Sequence, residues 1–336
     1  MKQLTHYNLL PHNTFGIETR CRQFISFETV EEIKAVFPAE APEKPYLILG
    51  GGSNLLLTRD FEGTVLHVGI KGMEAREEDG HILLRCGAGE VWDDVVQHCV
   101  DNGWYGAENL SLIPGQVGAS AVQNIGAYGA EVKDLIVSVE TVEIATGRQF
   151  EFTNADCQYA YRQSRFKNEW CNQFLITHVT YRLSKQFTPR LDYGNIRVEL
   201  ERRGLEQPSA AELRQTIIDI RNEKLPDVTQ QGNAGSFFMN PIISKECFLA
   251  LQERYPEVPH YAVDDANVKV PAGWLIEKAG WKGQRKGRAG VHSRQALVLV
   301  NLGGATGKEV LDLCQTIQQD VKEMFGIEIH PEVNII

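Results

Sequence analysis

Two glycine-rich stretches without a charged side chain stand out in this sequence: Leu49-Gly-Gly-Gly-Ser-Asn-Leu-Leu56 and Ile113-Pro-Gly-Gln-Val-Gly-Ala-Ser-Ala-Val-Gln-Asn-Ile-Gly-Ala-Tyr-Gly129. The first follows a compact apolar run at 46–49, which is typical of a buried strand. Because glycine has no Cβ, backbone N–H groups can turn towards pyrophosphate oxygens, and nearby hydroxyl and amide side chains add neutral hydrogen bonds. Each glycine alone would indicate only a tight turn, but together the stretches predict an uncharged cradle for a dinucleotide.

Strand and helix patterns are closely mixed around these stretches. Apolar runs at 64–68, 82–86, 135–144 and 174–183 predict strands, with clearer alternation in the last two. A helix is predicted at 91–100, with one apolar face and an end near Gly103. That face consists of Val91, Val95, Cys99 and Val100.

Three capping boxes predict helix starts: Thr29 with Glu32, Ser209 with Glu212, and Thr306 with Glu309. Pro38 ends the first helix, and Gly326 stops the third after Phe325. The second helix carries an apolar face of Leu213, Ile217 and Ile220. Because the sequence changes character after about residue 185, we expect a domain boundary between roughly 185 and 225.

Size and composition limit the classes of function. A chain of 336 residues with 43% hydrophobic side chains predicts two or three domains. A net charge of -10 argues against nucleic acid as a partner, but it allows a local cationic pocket for one phosphorylated ligand. The first ten residues lack a leader pattern and no stretch reaches the ~18 apolar residues of a membrane span, so we expect a cytoplasmic protein without a membrane partner. Seven scattered cysteines without a Cys-x-x-Cys pair predict neither disulfides nor a metal site.

Common nucleotide and catalytic motifs are incomplete. The Rossmann fingerprint Gly-x-Gly-x-x-Gly lacks its last glycine at both 87–92 and 50–55. The run 303–309 is one residue short of a phosphate-binding P-loop, and it predicts a helix N-terminus instead. Ser164-Arg-Phe-Lys167 has the Ser-x-x-Lys spacing of penicillin-recognising enzymes without their Lys-Thr-Gly partner. These patterns disfavour a Rossmann domain, a P-loop enzyme and an acyl-serine enzyme.

The chain closely resembles the UDP-N-acetylenolpyruvoylglucosamine reductase (MurB) family, in the form with an extra substrate-capping tyrosine loop. Both glycine-rich stretches are similar to its FAD-binding loops, and the resemblance runs from Asn13-Thr-Phe15 to His330-Pro-Glu332. It implies an α+β fold, with a two-lobed FAD-binding domain of the vanillyl-alcohol oxidase (PCMH) type and a C-terminal α+β substrate-binding domain. The implied boundaries are 1–72 and 73–205 for the lobes, the second with the capping loop, and 206–336 for the substrate domain, whose final segment returns to the active site.

The resemblance implies NADPH-dependent reduction of UDP-N-acetylglucosamine enolpyruvate to UDP-N-acetylmuramate in peptidoglycan precursor synthesis. FAD is implied to be noncovalently bound, NADPH to be the hydride donor, and the chain to be a monomer. The preference for NADPH comes from the family alone, since no 2′-phosphate site is identified in the sequence. The implied flavin contacts are Gly50, Gly51, Gly52, Ser53, Asn54, Leu55, Pro114, Gly115, Gly118, Ala119, Gln123, Asn124, Gly126, Ala127 and Tyr128.

Three distant residues match the catalytic positions of the family: Arg162, Ser236 and Glu332. Reducing an enolpyruvyl double bond requires hydride delivery, stabilisation of charge beside the carboxylate, and protonation of the neighbouring carbon. By resemblance, flavin N5 gives the hydride, Arg162 and Glu332 polarise the carboxylate, and Ser236 protonates carbon two. The serine role needs a strongly basic intermediate and a water-poor pocket. Taken singly, Arg162 would be a surface ion-pair residue, Glu332 a solvated charge and Ser236 a loop hydroxyl.

Five further positions are similar to the substrate site of the family: Tyr161, Tyr193, Lys224, Asn240 and Gln295. Tyr193 resembles the mobile tyrosine that covers UDP, and the other residue types suit a nucleotide-sugar, because lysine offers a flexible charge to diphosphate. The plainer alternatives are an ordinary turn aromatic for Tyr193 and a helix C-terminal charge for Lys224.

The sequence departs from the family pattern at two positions. Met239 stands where many members carry a basic residue, and Asn334 stands where an arginine often follows Glu332-Val. A noncatalytic UDP-sugar sensor that lost turnover through these changes is one alternative. A flavin oxidase of the same fold is another, against which Arg162, Ser236 and Glu332 argue. A structural protein is disfavoured because the sequence has no repeat, coiled coil or large amphipathic surface.

Overall fold

The computed structural model describes residues 1–336 and divides into two compact units. Unit 1 consists of Met1–Tyr7, Cys21–Gly51 and Glu62–Arg221. Unit 2 consists of Asn8–Arg20, Gly52–Phe61 and Asn222–Ile336. No helix is both long and apolar enough to cross a membrane.

The chain forms eight α-helices: α1 (Val30–Val36), α2 (Trp92–Asp101), α3 (Val117–Gln123), α4 (Ile196–Arg202), α5 (Ala210–Lys224), α6 (Lys245–Arg254), α7 (Ala272–Lys278) and α8 (Gly307–Phe325). Short 3-10 helices span Leu10–His12, Glu108–Leu110 and Val132–Asp134.

The strands are β1 (Lys2–Asn8), β2 (Arg20–Phe27), β3 (Tyr46–Leu49), β4 (Leu55–Leu56), β5 (Phe61–Val68), β6 (Met73–Glu78), β7 (His81–Gly87), β8 (Gly126–Ala127), β9 (Ala130–Glu131), β10 (Ile136–Glu143), β11 (Gln149–Thr153), β12 (Phe174–Ser184), β13 (Ile242–Ser244), β14 (Tyr261–Ala262), β15 (Asn267–Lys269), β16 (Arg285–Lys286), β17 (Ala289–Val291), β18 (Leu299–Asn301) and β19 (Asn334–Ile335).

Unit 1 is built on two sheets. The first has the order β1-β2-β5-β3, in which β3 and β5 are parallel. The second is antiparallel throughout, with the order β11-β10-β12-β7-β6. One continuous core joins both sheets to α1, α2 and α3, and its largest fully buried side chains include Trp92 and Tyr181. Both glycine-rich stretches begin on this framework, since β3 leads into Gly50 and the Gly115 carbonyl accepts the N–H of Trp92.

Unit 2 packs α6, α7 and α8 against two small antiparallel sheets, β13-β15-β14 and β16-β17-β18. Its core also includes Phe15 and Leu56 from much earlier in the chain. The parallel pair of β4 and β19 joins Leu55 to Asn334, so the C-terminal segment is fixed to the end of the first glycine-rich stretch.

The predicted helix starts are confirmed. Thr306 and Glu309 form a complete capping box, and α8 ends at Gly326, whose φ of 70° is left-handed. Thr29 caps α1, and Ser209 exchanges hydrogen bonds with Glu212 at the start of α5. Local capping chemistry therefore sets these boundaries.

Two predictions need correction. Val91 does not belong to the buried face of α2, because it is the N-cap residue and is 40% exposed. The buried face is formed by Trp92, Val95, Val96 and Cys99. The second glycine-rich stretch is not only a loop, because its centre folds into α3. This helix contains small residues that let it approach other backbone closely, and Gly118 N–H donates to the Ala88 carbonyl.

A buried ion pair joins α2 to α5. Arg214, 7% exposed in its side chain, donates to both carboxylate oxygens of Asp93 at 2.8 and 2.9 Å. Asp93 also accepts the N–H of Leu112, which has a left-handed φ of 56° just before the second glycine-rich stretch. Burial alone would raise the pKa of Asp93, but the hydrogen bonds from Arg214 and Leu112 hold it below its usual value.

We expect Arg214→Met to lower the free energy of unfolding by about 3 kcal/mol at neutral pH, because it leaves a partly buried carboxylate, 23% exposed, without its cation. The depressed pKa of Asp93 means that the ion pair stabilises the fold above the unfolded-state pKa of about 3.9 and is lost as the pH falls through the lower folded-state pKa. The difference in free energy of unfolding between wild type and variant should therefore narrow as urea unfolding is repeated from pH 7 towards pH ~4. Protonation of Asp93 removes the unpaired charge in the variant.

Arg197→Met is the matched control. It removes an exposed ion pair with Asp192, so it should leave the urea midpoint essentially unchanged. An Arg214→Met deficit that stayed the same across this pH range would show that lost packing, not charge, causes it.

Candidate active site

The two glycine-rich stretches approach each other in unit 1. A Cβ added to Gly51 would lie 3.6 Å from the Cα of Gly115, and one added to Gly50 would lie 3.2 Å from Gln116 Oε1 and 3.5 Å from the Ala119 Cβ. The backbone of the first stretch therefore faces the backbone of the second, with few side-chain atoms between them. Gly115 adopts a φ of 123°, which side chains rarely allow, directly after Pro114.

Gln116 lies in this cradle and was not predicted from the sequence. Its Oε1 is buried and has no hydrogen-bond partner within the protein. Buried acceptors are nearly always satisfied, so this oxygen is suited to a donor from a bound ligand. The cradle thus fits a dinucleotide such as FAD, which brings N–H and O–H donors together with its pyrophosphate. The signal was present in the sequence as a polar residue between Gly115 and Gly118.

The later residues of the first stretch organise unit 2. Gly52 has a φ of 63°, and a Cβ there would lie 1.9 Å from the His12 carbonyl oxygen. Ser53 follows it, and the Asn54 side chain donates to the Glu332 carbonyl at 3.3 Å. Leu55 is buried and pairs with β19. This part of the stretch therefore holds the segment that carries Glu332.

Residues of the second stretch lie on and after α3. Gly118 allows close packing, since a Cβ there would lie 3.0 Å from the Ala88 Cβ. Gln123 ends the helix half-buried, and Asn124 follows in a left-handed conformation, φ 45°. The Asn124 side chain forms three hydrogen bonds within the protein, so it faces protein on every polar atom.

The last part of the second stretch forms the short hairpin of β8 and β9. Gly126 pairs with Glu131, and Ala127 pairs with Ala130. A Cβ at Gly126 would lie 2.9 Å from the Ala130 carbonyl oxygen. Tyr128 follows with a φ of 48°.

Arg162 lies beside this hairpin in unit 1. Its Nη2 donates to the Gly126 carbonyl at 2.8 Å, and a Cβ at Gly126 would lie 3.5 Å from its Nη1. The backbone of Arg162 is left-handed, φ 56°, which is unusual for a residue with a side chain. Tyr161 is 46% exposed, and its ring centroid lies 5.7 Å from the Arg162 guanidinium carbon.

A second arginine, Arg221 on α5, was missed from the sequence. Its Nε is buried without a hydrogen-bond partner, and its guanidinium interacts with the Tyr128 hydroxyl. Burial lowers the pKa of Arg221, the charge of Arg162 lowers it further, and Tyr128 and Asp93 act in the opposite direction. Two neighbouring cations in a partly buried site suit an anionic ligand. The sequence signal was the spacing of Arg214, Ile217 and Arg221, which places arginines on the apolar face of a helix.

Ser236 and Glu332 come together in unit 2. An antiparallel bridge joins Phe238 to Pro331, and the Glu332 N–H donates to the Phe237 carbonyl at 2.8 Å. Phe237 and Phe238 are buried at 0% and 1% exposure, so they fix the segment that carries the exposed Ser236. The residues Ser236 and Glu332 are almost a hundred positions apart in the sequence. Their segments come within hydrogen-bond distance of each other at the bridge, about 3 Å between backbone N and O.

The two departures from the family pattern have structural roles of their own. Asn334 donates through its side chain to the Asn54 carbonyl at 3.1 Å, beside its backbone hydrogen bond to the same oxygen. Met239 donates its N–H to the His330 carbonyl at 2.9 Å. Both residues therefore support the bridge region without supplying a charge.

The predicted substrate residues form two groups. In unit 2, Asn240 Oδ1 accepts the N–H of Ala272 at the start of α7, and Gln295 Oε1 would lie 3.3 Å from a Cβ at neighbouring Gly273. Both amides therefore lie against the start of α7, while Lys224 lies at the end of α5. In unit 1, Tyr193 is 46% exposed and packs beside the Tyr128–Gly129 turn.

Comparisons with known proteins agree with this geometry. Residues 22–153 match the model of an FAD binding domain, and residues 227–336 match the C-terminal domain of UDP-N-acetylenolpyruvoylglucosamine reductase. A crystal structure of UDP-N-acetylenolpyruvylglucosamine reductase (MurB) from Thermus caldophilus superposes with a TM-score of 0.68 over 99% of this chain and 98% of that chain, at 23% identity. The predicted α+β fold is thereby confirmed.

Relatives at higher identity cover almost the whole chain. The reductase of that name from Bacteroides fragilis (strain YCH46) is 53% identical over 98% of this chain and 99% of its own length. The one from Flavobacterium johnsoniae is 47% identical over the full length of both chains. The resemblance predicted from the residues is confirmed, and the chain belongs to the UDP-N-acetylenolpyruvoylglucosamine reductase family.

Proposed function

We propose that this chain catalyses the NADPH-dependent reduction of UDP-N-acetylglucosamine enolpyruvate to UDP-N-acetylmuramate through bound FAD, a step of peptidoglycan precursor synthesis. The observation that carries this function is the 53% identity over 98% of the chain to a reductase of that name. The glycine cradle and the neighbouring arginines supply the chemistry that a dinucleotide and an anionic substrate require.

The residues that would hold FAD are those of the cradle in unit 1. Gly50, Gly51 and Gly115 leave room for pyrophosphate beside backbone N–H groups, and Gln116 Oε1 offers the unpaired acceptor. Bound in this cradle, the flavin would supply hydride transfer from NADPH to the vinyl carbon of the substrate. The protein contributes binding, orientation and proton transfer.

Arg162 is suited to bind the enolpyruvyl carboxylate. A guanidinium presents paired N–H donors that match a carboxylate, and the hydrogen bond to Gly126 fixes one edge of the group. Charge that develops next to the carboxylate during reduction would be stabilised there without reorganisation. Arg221 adds a second positive charge nearby.

Ser236 is proposed to donate the proton to carbon two, and Glu332 to help polarise the substrate carboxylate. Their backbones are held close together by one bridge, so both residues belong to the same part of unit 2. Serine is a weak acid, which means that this step needs a strongly basic substrate carbon and exclusion of water.

The remaining contacts concern the nucleotide-sugar. Lys224 supplies a flexible positive charge for the diphosphate, while Asn240 and Gln295 supply paired amides at the start of α7. Tyr193 and Tyr161 are exposed aromatic side chains, suited to cover a base or sugar. The positive charges of Arg162, Arg221 and Lys224 are local, so they are compatible with a net charge of -10 for the whole chain. We propose a cytoplasmic monomer.

Gly51→Ala tests the cradle. The added methyl group meets only ordinary van der Waals contact with Gly115, so the flavin-free protein should fold with an unchanged melting temperature. It occupies space assigned to FAD, and we expect FAD affinity to fall by about tenfold or more, measured by quenching of flavin fluorescence. Wild-type affinity in a folded variant would place the flavin elsewhere.

Ser236→Ala tests the proton donor by anaerobic stopped-flow absorbance. NADPH should bleach the flavin at close to the wild-type rate, whereas reoxidation by UDP-N-acetylglucosamine enolpyruvate should slow by about 10²- to 10⁴-fold, the usual contribution of a general acid. Ser244→Ala removes the N-cap hydroxyl of α6 in the same unit, and its reoxidation should remain at the wild-type rate.

The same wild-type traces distinguish the other readings. Flavin that reoxidises only after oxygen is admitted would indicate an oxidase. Flavin that neither bleaches nor recovers, in protein that still binds the UDP-sugar, would indicate a sensor. Protein that binds no flavin would refute the proposed reaction.

A further inference from the structure

The side chain of Asn124 ties the second glycine-rich stretch to the turn that carries Arg162. Its Nδ2 donates to the Ala160 carbonyl at 2.8 Å and to Glu131 Oε2 at 2.7 Å, and its Oδ1 accepts the N–H of Lys133 at 3.1 Å. Asn124 is 1% exposed. Both amide N–H bonds are therefore used inside the protein and the oxygen accepts a protein N–H, so this buried side chain has no donor left for a flavin contact.

The turn that Asn124 holds is strained. Ala160 and Gln163 exchange backbone hydrogen bonds at 3.0 and 3.1 Å around Arg162, whose φ is 56°. A side-chain-bearing residue keeps a left-handed backbone only when its surroundings fix it, at a cost of about 1–3 kcal/mol. On the far side of the turn, Ser164 Oγ donates to the Val122 carbonyl at 2.6 Å. Hydrogen bonds to α3 and its cap thus clamp the turn at both ends.

Asn124 also places a carboxylate near Arg162. Glu131 accepts from Asn124 and from Lys133 Nζ at 2.7 and 2.9 Å. Burial would raise the pKa of Glu131, but these hydrogen bonds and the charge of Arg162 lower it overall, so the carboxylate stays ionised. The guanidinium of Arg162 therefore donates to the Gly126 carbonyl, while the charge of Glu131 acts on it from nearby.

We infer that Asn124 is a positioning residue for Arg162, which sets the guanidinium to receive the substrate carboxylate, and that it does not contact the flavin through its side chain. This inference rests on the proposed role of Arg162. The positioning role explains why an amide side chain follows α3. Its two N–H groups donate to a carbonyl and a carboxylate, and its oxygen accepts a backbone N–H.

Asn124→Gly removes the side chain and keeps the left-handed backbone, since glycine adopts a φ of 45° without strain. We expect wild-type FAD affinity and bleaching by NADPH, together with reoxidation by substrate slowed by about 10²-fold, the cost of a misplaced binding group. Affinity for the product UDP-N-acetylmuramate, which carries the carboxylate, should fall by about tenfold. Affinity for UDP-N-acetylglucosamine, which lacks that carboxylate, should be unchanged. Both are measured by the change in flavin absorbance.

Two further variants keep the test decisive. Asn154→Ala removes an amide of unit 1 that is half-buried, less buried than Asn124, and that donates to the Lys133 and Ile136 carbonyls, and it should leave both affinities at wild-type values. Asn124→Asp is isosteric but sets a carboxylate against Glu131 and the Ala160 carbonyl, so it should slow reoxidation at least as much as Asn124→Gly.

The outcomes separate this inference from the assignment of Arg162. If Arg162→Gln keeps the wild-type preference for product over UDP-N-acetylglucosamine, the role of Arg162 fails. If Arg162→Gln loses that preference while Asn124→Gly keeps it, only the positioning role of Asn124 is overturned. Loss of FAD from Asn124→Gly would also overturn it, in favour of a direct flavin contact. A similar loss of product affinity in Asn154→Ala would overturn the specific role of Asn124, because the loss would then follow from removing any buried amide of unit 1.

Discussion

The carboxylate of Asp93 is the interaction on which the site of unit 1 depends. It belongs to α2, receives both terminal nitrogens of Arg214 from α5, and accepts the N–H of Leu112 at the entrance to the second glycine-rich stretch. One charged group therefore fixes the start of the proposed flavin cradle and the helix that presents Arg221. A neutral hydrogen bond could not join a cation and a left-handed backbone with the same strength.

Much of the fold was predictable because its signals are local. The capping boxes set the starts of α1, α5 and α8, and their hydrogen bonds involve residues only three positions apart. The two long uncharged glycine-rich stretches were also evident in the sequence, and the structure brings Gly51 close to Gly115, while their use as a flavin cradle stays a prediction. Within the second stretch α3 was missed, since a seven-residue helix that contains a glycine and mostly small side chains carries little helical pattern.

The roles of single side chains were less predictable. Asn124 resembles a ligand contact in the sequence, but its partners Ala160, Glu131 and Lys133 are known only once the chain is folded. Gln116 and Arg221 are similar cases, because a buried atom without a partner is a property of packing and not of composition. The motif match located Arg162, Ser236 and Glu332, whereas the structure shows what holds each of them.

The composition of unit 2 has a consequence for how the protein is made. Its core contains Phe15 and Leu56, yet the strand that pairs with β4 lies near the far end of the chain, and Asn334 bonds to a residue 280 positions earlier. A ribosome therefore delivers most of the chain before these early apolar side chains find their partners. Contacts of such long range form slowly and leave apolar surface exposed meanwhile. Synthesis of unit 2 should consequently place a greater demand on chaperones than its modest size suggests.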